Sequence, residues 1–568
     1  MPGHSAASER TDVEFGTVSS GERSRARAWW LVAGLLIAAF LARAPLYLSV
    51  FPPFEGWDEY QHLGYIAYLD QTGTIPVFST ATRVPLTIRP LVIAVPHSRW
   101  GGDQVRDWGA LSYGDFWNAP APTAAPDRGS FSSPRLYQAQ HPPLAYALDV
   151  PVWHALKRSH PLAAIYTIRT MNLLLAAIGL VLFAGALPRL MPVFATRVAV
   201  FALVCLHPLF FQNVARVAND ALALATGIAG ISLLVLADQR TLLTRGVMAA
   251  ACIAASIWSK QTGLTLIPVL VLGLPLMGWA DGVSAGRLCR VTAIAALVLL
   301  LLVAPLWLWS YRHYGAIITT QESLQLASDG PVSGKLLSSF EHLRWPPLID
   351  TLFVPGRPWV GGWSFLPMQQ SLANVYGWYW RTLLAAAAIG GVVAMLRRWR
   401  SVEHVVSVPR IHTRAAAGLA VCAAAVIFTV LGLIHHAVVS NAVFGQSMTN
   451  PWYFMTALPF LFVLLVRGLE AISSRLATVA AGGLAVLFVA IDLQGTWVEM
   501  PRAYASTTDA TLQWSRLASI HPAILSSDLR WLFLATQLGA LVLVAAGLVH
   551  VSRTARDTTA QWPNGYRD

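Results

Sequence analysis

Two adjacent carboxylates, Asp58 and Glu59, stand in the segment Phe51-Pro-Pro-Phe-Glu-Gly-Trp-Asp-Glu-Tyr-Gln-His62, directly after a long apolar stretch. On a helix starting there, Asp58, His62 and Tyr65 fall on one face. Carboxylates at the edge of an apolar run suit a general base, a ligand for a divalent cation such as Mg, Mn or Ca, or both. The same pair also suits a plain structural task. Acidic side chains at a helix N-terminus cap free N–H groups and complement the helix dipole. Spacing alone does not separate these readings.

Further along, Gln138-Ala-Gln-His-Pro-Pro-Leu-Ala-Tyr146 brings His141 to a kinked entry, because the two prolines cannot continue a preceding helix. His141 there is either a hydrogen-bonded turn residue or a reactive one. Cations follow. Lys260 lies in a hairpin between the apolar runs 245–259 and 262–279. Fifteen helical residues rise only about 22 Å, less than a hydrocarbon core of about 30 Å. The hairpin tip therefore sits below the outer surface, where a lysine needs an anionic partner such as a lipid phosphate. The alternative is a lysine that snorkels to the headgroups. Arg216, Asn219 and Asp220 form a second cluster, in which Asn219 could cap the next helix and Arg216 could pair Asp220 within one turn. Arg312 with His313, and Arg381, stand at outer helix ends as further candidate phosphate contacts. Arg169 falls inside an apolar run and is expected to face the bundle interior.

The elements that must position these residues are membrane helices. Of 568 residues, 55% are hydrophobic and 12% charged, and mean hydropathy is +0.53. A soluble domain carries roughly a quarter charged residues. Apolar runs occur at 29–51, 160–187, 194–213, 219–237, 245–259, 262–279, 290–311, 380–397, 412–437, 452–467, 475–493 and 530–551, twelve in all. The run 142–156 is short and holds Asp149 and His154. If it lies along the interface, the arginines at 189, 197, 240, 245, 287, 290, 397, 398, 400, 467, 475, 553 and 556 all face the cytoplasm. If it crosses, they all face outward, against the positive-inside rule. Twelve spans follow, with both termini cytoplasmic. The formal charge of +12 is then a matter of topology, with no nucleic acid implied. The four cysteines, Cys205, Cys252, Cys289 and Cys422, lie in or beside apolar runs and imply no disulfide framework.

This reading divides the chain into a disordered cytoplasmic tail 1–27, a membrane module 28–311 with an extracytoplasmic loop 52–159, and a cap 312–379 rich in Pro and Trp. The membrane helices 380–551, with a loop at 494–529, and a cytoplasmic tail 552–568 complete it. Arg23, Arg25 and Arg27 precede a first span too long for a signal-peptide core, so it is read as uncleaved.

An acidic pair soon after the first span, followed by His-Pro-Pro-Leu before an interfacial helix, resembles the GT-C superfamily of polyprenyl-phosphate-sugar-dependent glycosyltransferases. Protein O-mannosyltransferases and the lipid A aminoarabinose transferase belong to it. The likeness is firmest over 29–280, and Asn450-Pro-Trp-Tyr-Phe-Met-Thr-Ala-Leu-Pro459 resembles a Tyr–Pro segment near the end of such bundles. The resemblance implies an all-α polytopic fold with a GT-C bundle in the inner (plasma) membrane and an extracytoplasmic site. It implies Asp58 as main catalytic carboxylate with Glu59 its neighbour, the two as candidate metal ligands. His62, His141 and Tyr453 would position donor or acceptor. Lys260, Arg216, Arg312, His313 and Arg381 would hold the lipid phosphate. The partners implied are a polyprenyl-phosphate sugar and an envelope glycan, lipid or protein acceptor. The rival readings are a secondary transporter or lipid flippase, and an O-antigen-ligase-like polymerase using a late loop with His342, Arg344 and Arg357.

Overall fold

A computed structural model describes residues 20–119, 133–328, 332–352, 359–402, 410–447, 449–522, 525 and 529–560. The chain is an all-α polytopic membrane protein, with one two-stranded hairpin among the described residues. Nine helices there are long and apolar enough to cross a membrane, from Arg23–Val50 through Arg530–Val549. A tenth span is formed if the pair Phe194–Leu206 and Pro208–Val214, bent by 48°, counts as one. The two remaining apolar runs are helices as well, but shorter: Asp220–Leu236 has 17 residues and Leu458–Ile472 has 15. All twelve runs are thus helical, while length and composition establish nine or ten crossings.

Several boundaries differ from the sequence expectation. The first helix begins at Ser20 instead of 28, so the arginines at 23, 25 and 27 lie on it. Residues 1–19 of the expected tail lie outside the described residues. The last helix runs on to Ala560, past the expected boundary at 551. The span from Ser474 does not end at 493: it continues through a π turn, Gly495–Glu499, into Met500–Tyr504. Apolar periodicity did not mark that continuation, because Gly495, Thr496 and Pro501 interrupt it.

Helix Leu144–Leu156 has 13 residues, a rise of about 20 Å and too little to cross. It lies against Glu59–Thr72, with Tyr146 stacked on Tyr65 at 3.9 Å between ring centroids. Asp70 takes both His154 and Lys157 at the other end of that contact.

Helix Asp220–Leu236 is central, packed between Pro161–Leu190 and Leu242–Ser259. At the crossing of Gln370–Val402 with Leu458–Ile472, a Cβ on Gly390 would lie 1.8 Å from the Gly468 carbonyl oxygen. Only glycine permits that backbone contact, the usual device of helices that associate in lipid. The expected cap contains helices Gln321–Ser328, Val332–Glu341 and Trp345–Leu352 and the antiparallel pair Trp359–Val360 and Leu366–Pro367, with Trp359 opposite Pro367. All four cysteines are free.

Candidate active site

The turn 54–58 carries unusual backbone. Of four non-glycine residues with positive φ among the described residues, Phe54 (64°) and Asp58 (55°) lie here, and Phe365 (43°) is on the cap hairpin facing them. Such conformations persist where the surroundings enforce them, and they cluster at functional sites. The enforcement is visible. Phe54 N donates to Glu59 Oε2 at 2.8 Å, and Arg216 donates to the Trp57 carbonyl at 2.7 Å.

Asp58 occupies the N-cap position of helix Glu59–Thr72, yet its side chain makes no capping bond. Its backbone carbonyl accepts from Gln61 and His62 instead. The structural alternative for Asp58 therefore fails. Its half-buried carboxyl lines a cavity of about 460 Å³ and takes no hydrogen bond or ion pair from any described residue. Burial raises its pKa from 3.8 to about 6, partly offset by Arg216 and Lys260 and reinforced by Asp220.

Glu59 has the opposite environment. It is fully buried and receives Arg169 in a two-point contact, Nε to Oε1 at 2.8 Å and a terminal nitrogen to Oε2 at 2.6 Å. Val217 N adds a third donor at 2.8 Å, beside Phe54 N. Arg169, as expected, faces the interior, and it also donates to the Phe51 and Pro52 carbonyls. Glu59 lies outside the cavity lining, and both its oxygens are occupied. The chain itself supplies the partners of Glu59, while Asp58 stays open to the cavity. Among the described residues no group of three or more His, Cys, Asp or Glu could hold a metal ion, and two cations already face Asp58.

Those cations are organised by Asp220. Its Oδ2 accepts from Arg216 at 2.8 Å and its Oδ1 from Lys260 at 2.6 Å. The Arg216–Asp220 pairing is as the sequence allowed. Of the two expectations for Lys260, snorkelling fails. It is 7% exposed, so it does not snorkel, and its anionic partner is a carboxylate of the chain. It also sits 4.9 Å from the Tyr453 ring centre. Asn219 does not cap its helix but donates to the Ser259 carbonyl at 2.9 Å, tying that helix to the hairpin.

Asp58, His62, His141, Arg216, Lys260 and Tyr453 all line the one cavity. His62 Nδ1 meets the Tyr146 hydroxyl at 2.9 Å, and burial holds its pKa well below the usual value. His141 is pushed down to about 3 by burial and by Lys260. Both are neutral near pH 7, and His141 Nδ1 has no partner. Arg312 and His313 are exposed at the end of helix Ala285–Tyr314, and Arg381 is exposed too; none of the three lines the cavity. They share a helix-end position with residues that do line the cavity, which made them look alike in sequence. His342 and Arg344 are exposed and outside the lining, and Arg357 lies outside the described residues.

Sequence reasoning missed the far wall: Glu322, Trp363 and Phe365 from the cap, His435 and His436 from helix Arg410–Phe444, and Trp452. The two histidines carried a usable signal, since ionisable residues in an apolar span mark function by default. The cap residues carried none. Their approach depends on Gly362, where a Cβ would lie 1.8 Å from the Glu55 carbonyl oxygen. Trp363 N donates to that oxygen at 2.8 Å and Ser364 N to Glu55 Oε1 at 2.5 Å. Burial lifts the Glu55 carboxyl to about 7.

No family model and no curated protein matches the chain. Solved structures do. An oligosaccharyltransferase of Archaeoglobus fulgidus, in its apo form, is 13% identical at TM-score 0.42, over 84% of this chain and 56% of that one. The same enzyme with Zn and sulfate is 13% identical at TM-score 0.39, over 81% and 53%. ArnT of Cupriavidus metallidurans, bound to undecaprenyl phosphate, is 13% identical at TM-score 0.40, over 94% and 79%. The chain spans a little over half the length of the oligosaccharyltransferase.

Proposed function

We propose that the chain is a membrane glycosyltransferase that moves a sugar from a polyprenyl-phosphate donor to an acceptor hydroxyl. The observation that carries this reading is one cavity in which an unpartnered carboxylate, Asp58, faces Arg216 and Lys260. Asp58 takes the proton of the acceptor hydroxyl as its oxygen attacks the anomeric carbon. The bond from that carbon to the phosphate oxygen breaks, and its electron pair stays on the departing lipid phosphate. That phosphate gains a negative charge, which Lys260 and Arg216 stabilise in the transition state. Asp220 keeps both cations in place. His62 and His141, neutral, are hydrogen-bonding groups of the wall.

The lipid part of the reading is supported by a recess sharing Gln140, His141, Gln261 and Leu264 with the cavity. Leu306, Trp307 and Ile317 also line it. Helix Ala285–Tyr314 beside it exposes Leu300, Leu301, Leu308 and Tyr311. An isoprenoid chain resting there would leave its phosphate at the hairpin of Lys260. The site would face the extracytoplasmic side by the arginine distribution. A transporter reading would call for broken helices in two equivalent halves; one bent pair is found among the described residues, at His207–Pro208.

The test is incubation of the purified protein with radiolabelled polyprenyl-phosphate sugars and an envelope extract, with and without chelator. Label leaving the lipid for an acceptor, at an undiminished rate in chelator, is the expected result. Label moved across vesicle bilayers with its lipid intact would establish the flippase instead.

A further inference from the structure

Asp58 is not alone in being an unpartnered acid of this cavity. Glu322, on the cap helix Gln321–Ser328, is 4% exposed, lines the same cavity, and makes no hydrogen bond or ion pair with any described residue. A buried carboxylate normally has partners, because one left without them keeps the full penalty of its desolvation. The bland explanation is an acid in the first turn of a helix, favoured by the dipole. It does not require burial, and the helix end is served by other groups. Thr320 Oγ accepts from Ser323 N at 3.2 Å, and Gln140 Oε1 accepts from Gln321 N at 2.7 Å. That second bond also fixes the cap helix to the segment of His141.

The surroundings of Glu322 differ from those of Asp58. The lysine and arginine of the lining, Lys260 and Arg216, are each bound to Asp220 and not to Glu322. The lining also offers hydroxyls, amides and rings, among them Thr320, Ser323, Tyr137, Tyr453 and Asn450. Tyr137 and Tyr453 are each close enough to feel the charge of both Asp58 and Glu322. A phosphate, which only accepts, is repelled by a second carboxylate. A group rich in hydroxyl donors is not, since a carboxylate accepts two of them at once through charge-assisted bonds.

We propose that Glu322 is a substrate-binding residue, holding hydroxyls of a carbohydrate acceptor at the cap wall of the cavity. This rests on the transferase reading for the word acceptor, but the carbohydrate site itself does not need it. The acceptor is thereby a glycan or glycolipid, not a protein side chain standing alone.

The experiment uses the full chain in lipid nanodiscs and two probes. The first is a panel of octyl glycosides of gluco, galacto, manno and arabino configuration, followed by tryptophan fluorescence, since Trp57, Trp363 and Trp452 line the cavity. The second is undecaprenyl phosphate. Glu322→Gln should weaken the best-bound glycoside about tenfold or more, and Glu322→Asp by less, with undecaprenyl phosphate binding unchanged in both. Lys260→Met should do the reverse. Glycoside affinity that is absent in the wild type, or unmoved by Glu322→Gln, overturns the proposal. So does a Glu322→Gln protein that loses both probes while Glu322→Asp also loses both, because the residue is then structural. Failure of the wild type to bind undecaprenyl phosphate, with glycoside binding still dependent on Glu322, would sink the transferase reading and leave the carbohydrate site standing.

Discussion

Around Arg169 and around Asp220 the protein buries two groups of opposite charges, one peptide bond apart at Asp58 and Glu59, and they are built differently. The Arg169 group is closed: Glu59 takes two bonds from the guanidinium and two from backbone N–H groups, and Arg169 spends its remaining donors on the Phe51 and Pro52 carbonyls. The Asp220 group is open. Arg216 and Lys260 are each tied to Asp220, but their charge also reaches Asp58, which has no partner of its own and faces space. A third buried pair, Arg43 with Asp492, follows the closed pattern: Asp492 also accepts from Gln537 at 2.9 Å and Arg43 donates to the Cys205 carbonyl at 3.3 Å, joining four membrane segments. Closed groups hold helices in register, whereas the open one retains binding capacity for something the chain does not supply.

The comparison breaks most visibly at Glu59. Removing one partner of a closed, buried pair leaves an uncompensated charge, at a cost of about 3–5 kcal/mol. Glu59→Gln should therefore lower the thermal stability of the purified protein steeply, with activity lost alongside folded protein. The double change Glu59→Gln with Arg169→Met should recover part of that stability. A Glu59→Gln protein that is stable but inactive would move Glu59 into the chemistry and erase the distinction.

At Asp58 the expectation inverts. Asp58→Asn leaves no capping bond to lose and removes a buried charge, so stability near pH 7 should hold or rise, while transfer falls about a hundredfold or more, the scale of a general base. Donor binding should persist by equilibrium measurement with undecaprenyl phosphate. Full activity in this variant would leave the open group without a reaction. Lys260→Met should show a smaller, mixed effect, weakening undecaprenyl phosphate binding about tenfold and costing some stability, because Asp220 loses one of its two cations.

The contrast between the two groups was only half legible in the sequence. Hydropathy located every long helix, since span length follows from the thickness of the hydrocarbon core. The Asp58 turn was legible because a polar segment beside aromatics at a span end is conspicuous. That Glu59 belonged to Arg169 was not, because the partners are 110 positions apart and adjacency in sequence suggested a shared role. Lys260 was placed in the site for a sound reason, its short hairpin, yet its partner Asp220 depended on how two helices cross. Glu322 had no signal at all. Its position depends on Gln321 N reaching Gln140 Oε1, a contact between residues 181 apart.

The open group should also be readable by pH, and here activity and stability run in opposite directions. Asp58 faces Arg216, Lys260 and Asp220 from the neighbouring elements, with His62, His141, His435 and His436 also on the lining. Burial holds His62 and His141 neutral and raises the Asp58 carboxyl to about 6, so the acid limb is assigned to Asp58. As a base it must be ionised. Transfer should be flat above about pH 7 and fall about tenfold for each unit below about pH 6. Stability follows the proton the other way. The folded state holds its Asp58 proton more tightly than the unfolded chain, where the pKa is near 3.8. The contribution is therefore fully present below about pH 4 and is lost as pH rises through about 6. Asp58→Asn should remove that limb of the stability profile while Glu59→Gln leaves it in place in whatever folded protein remains. A rate profile with its acid limb unchanged in Asp58→Asn, measured on the residual activity, would assign the limb to another group and take Asp58 out of the proton transfer.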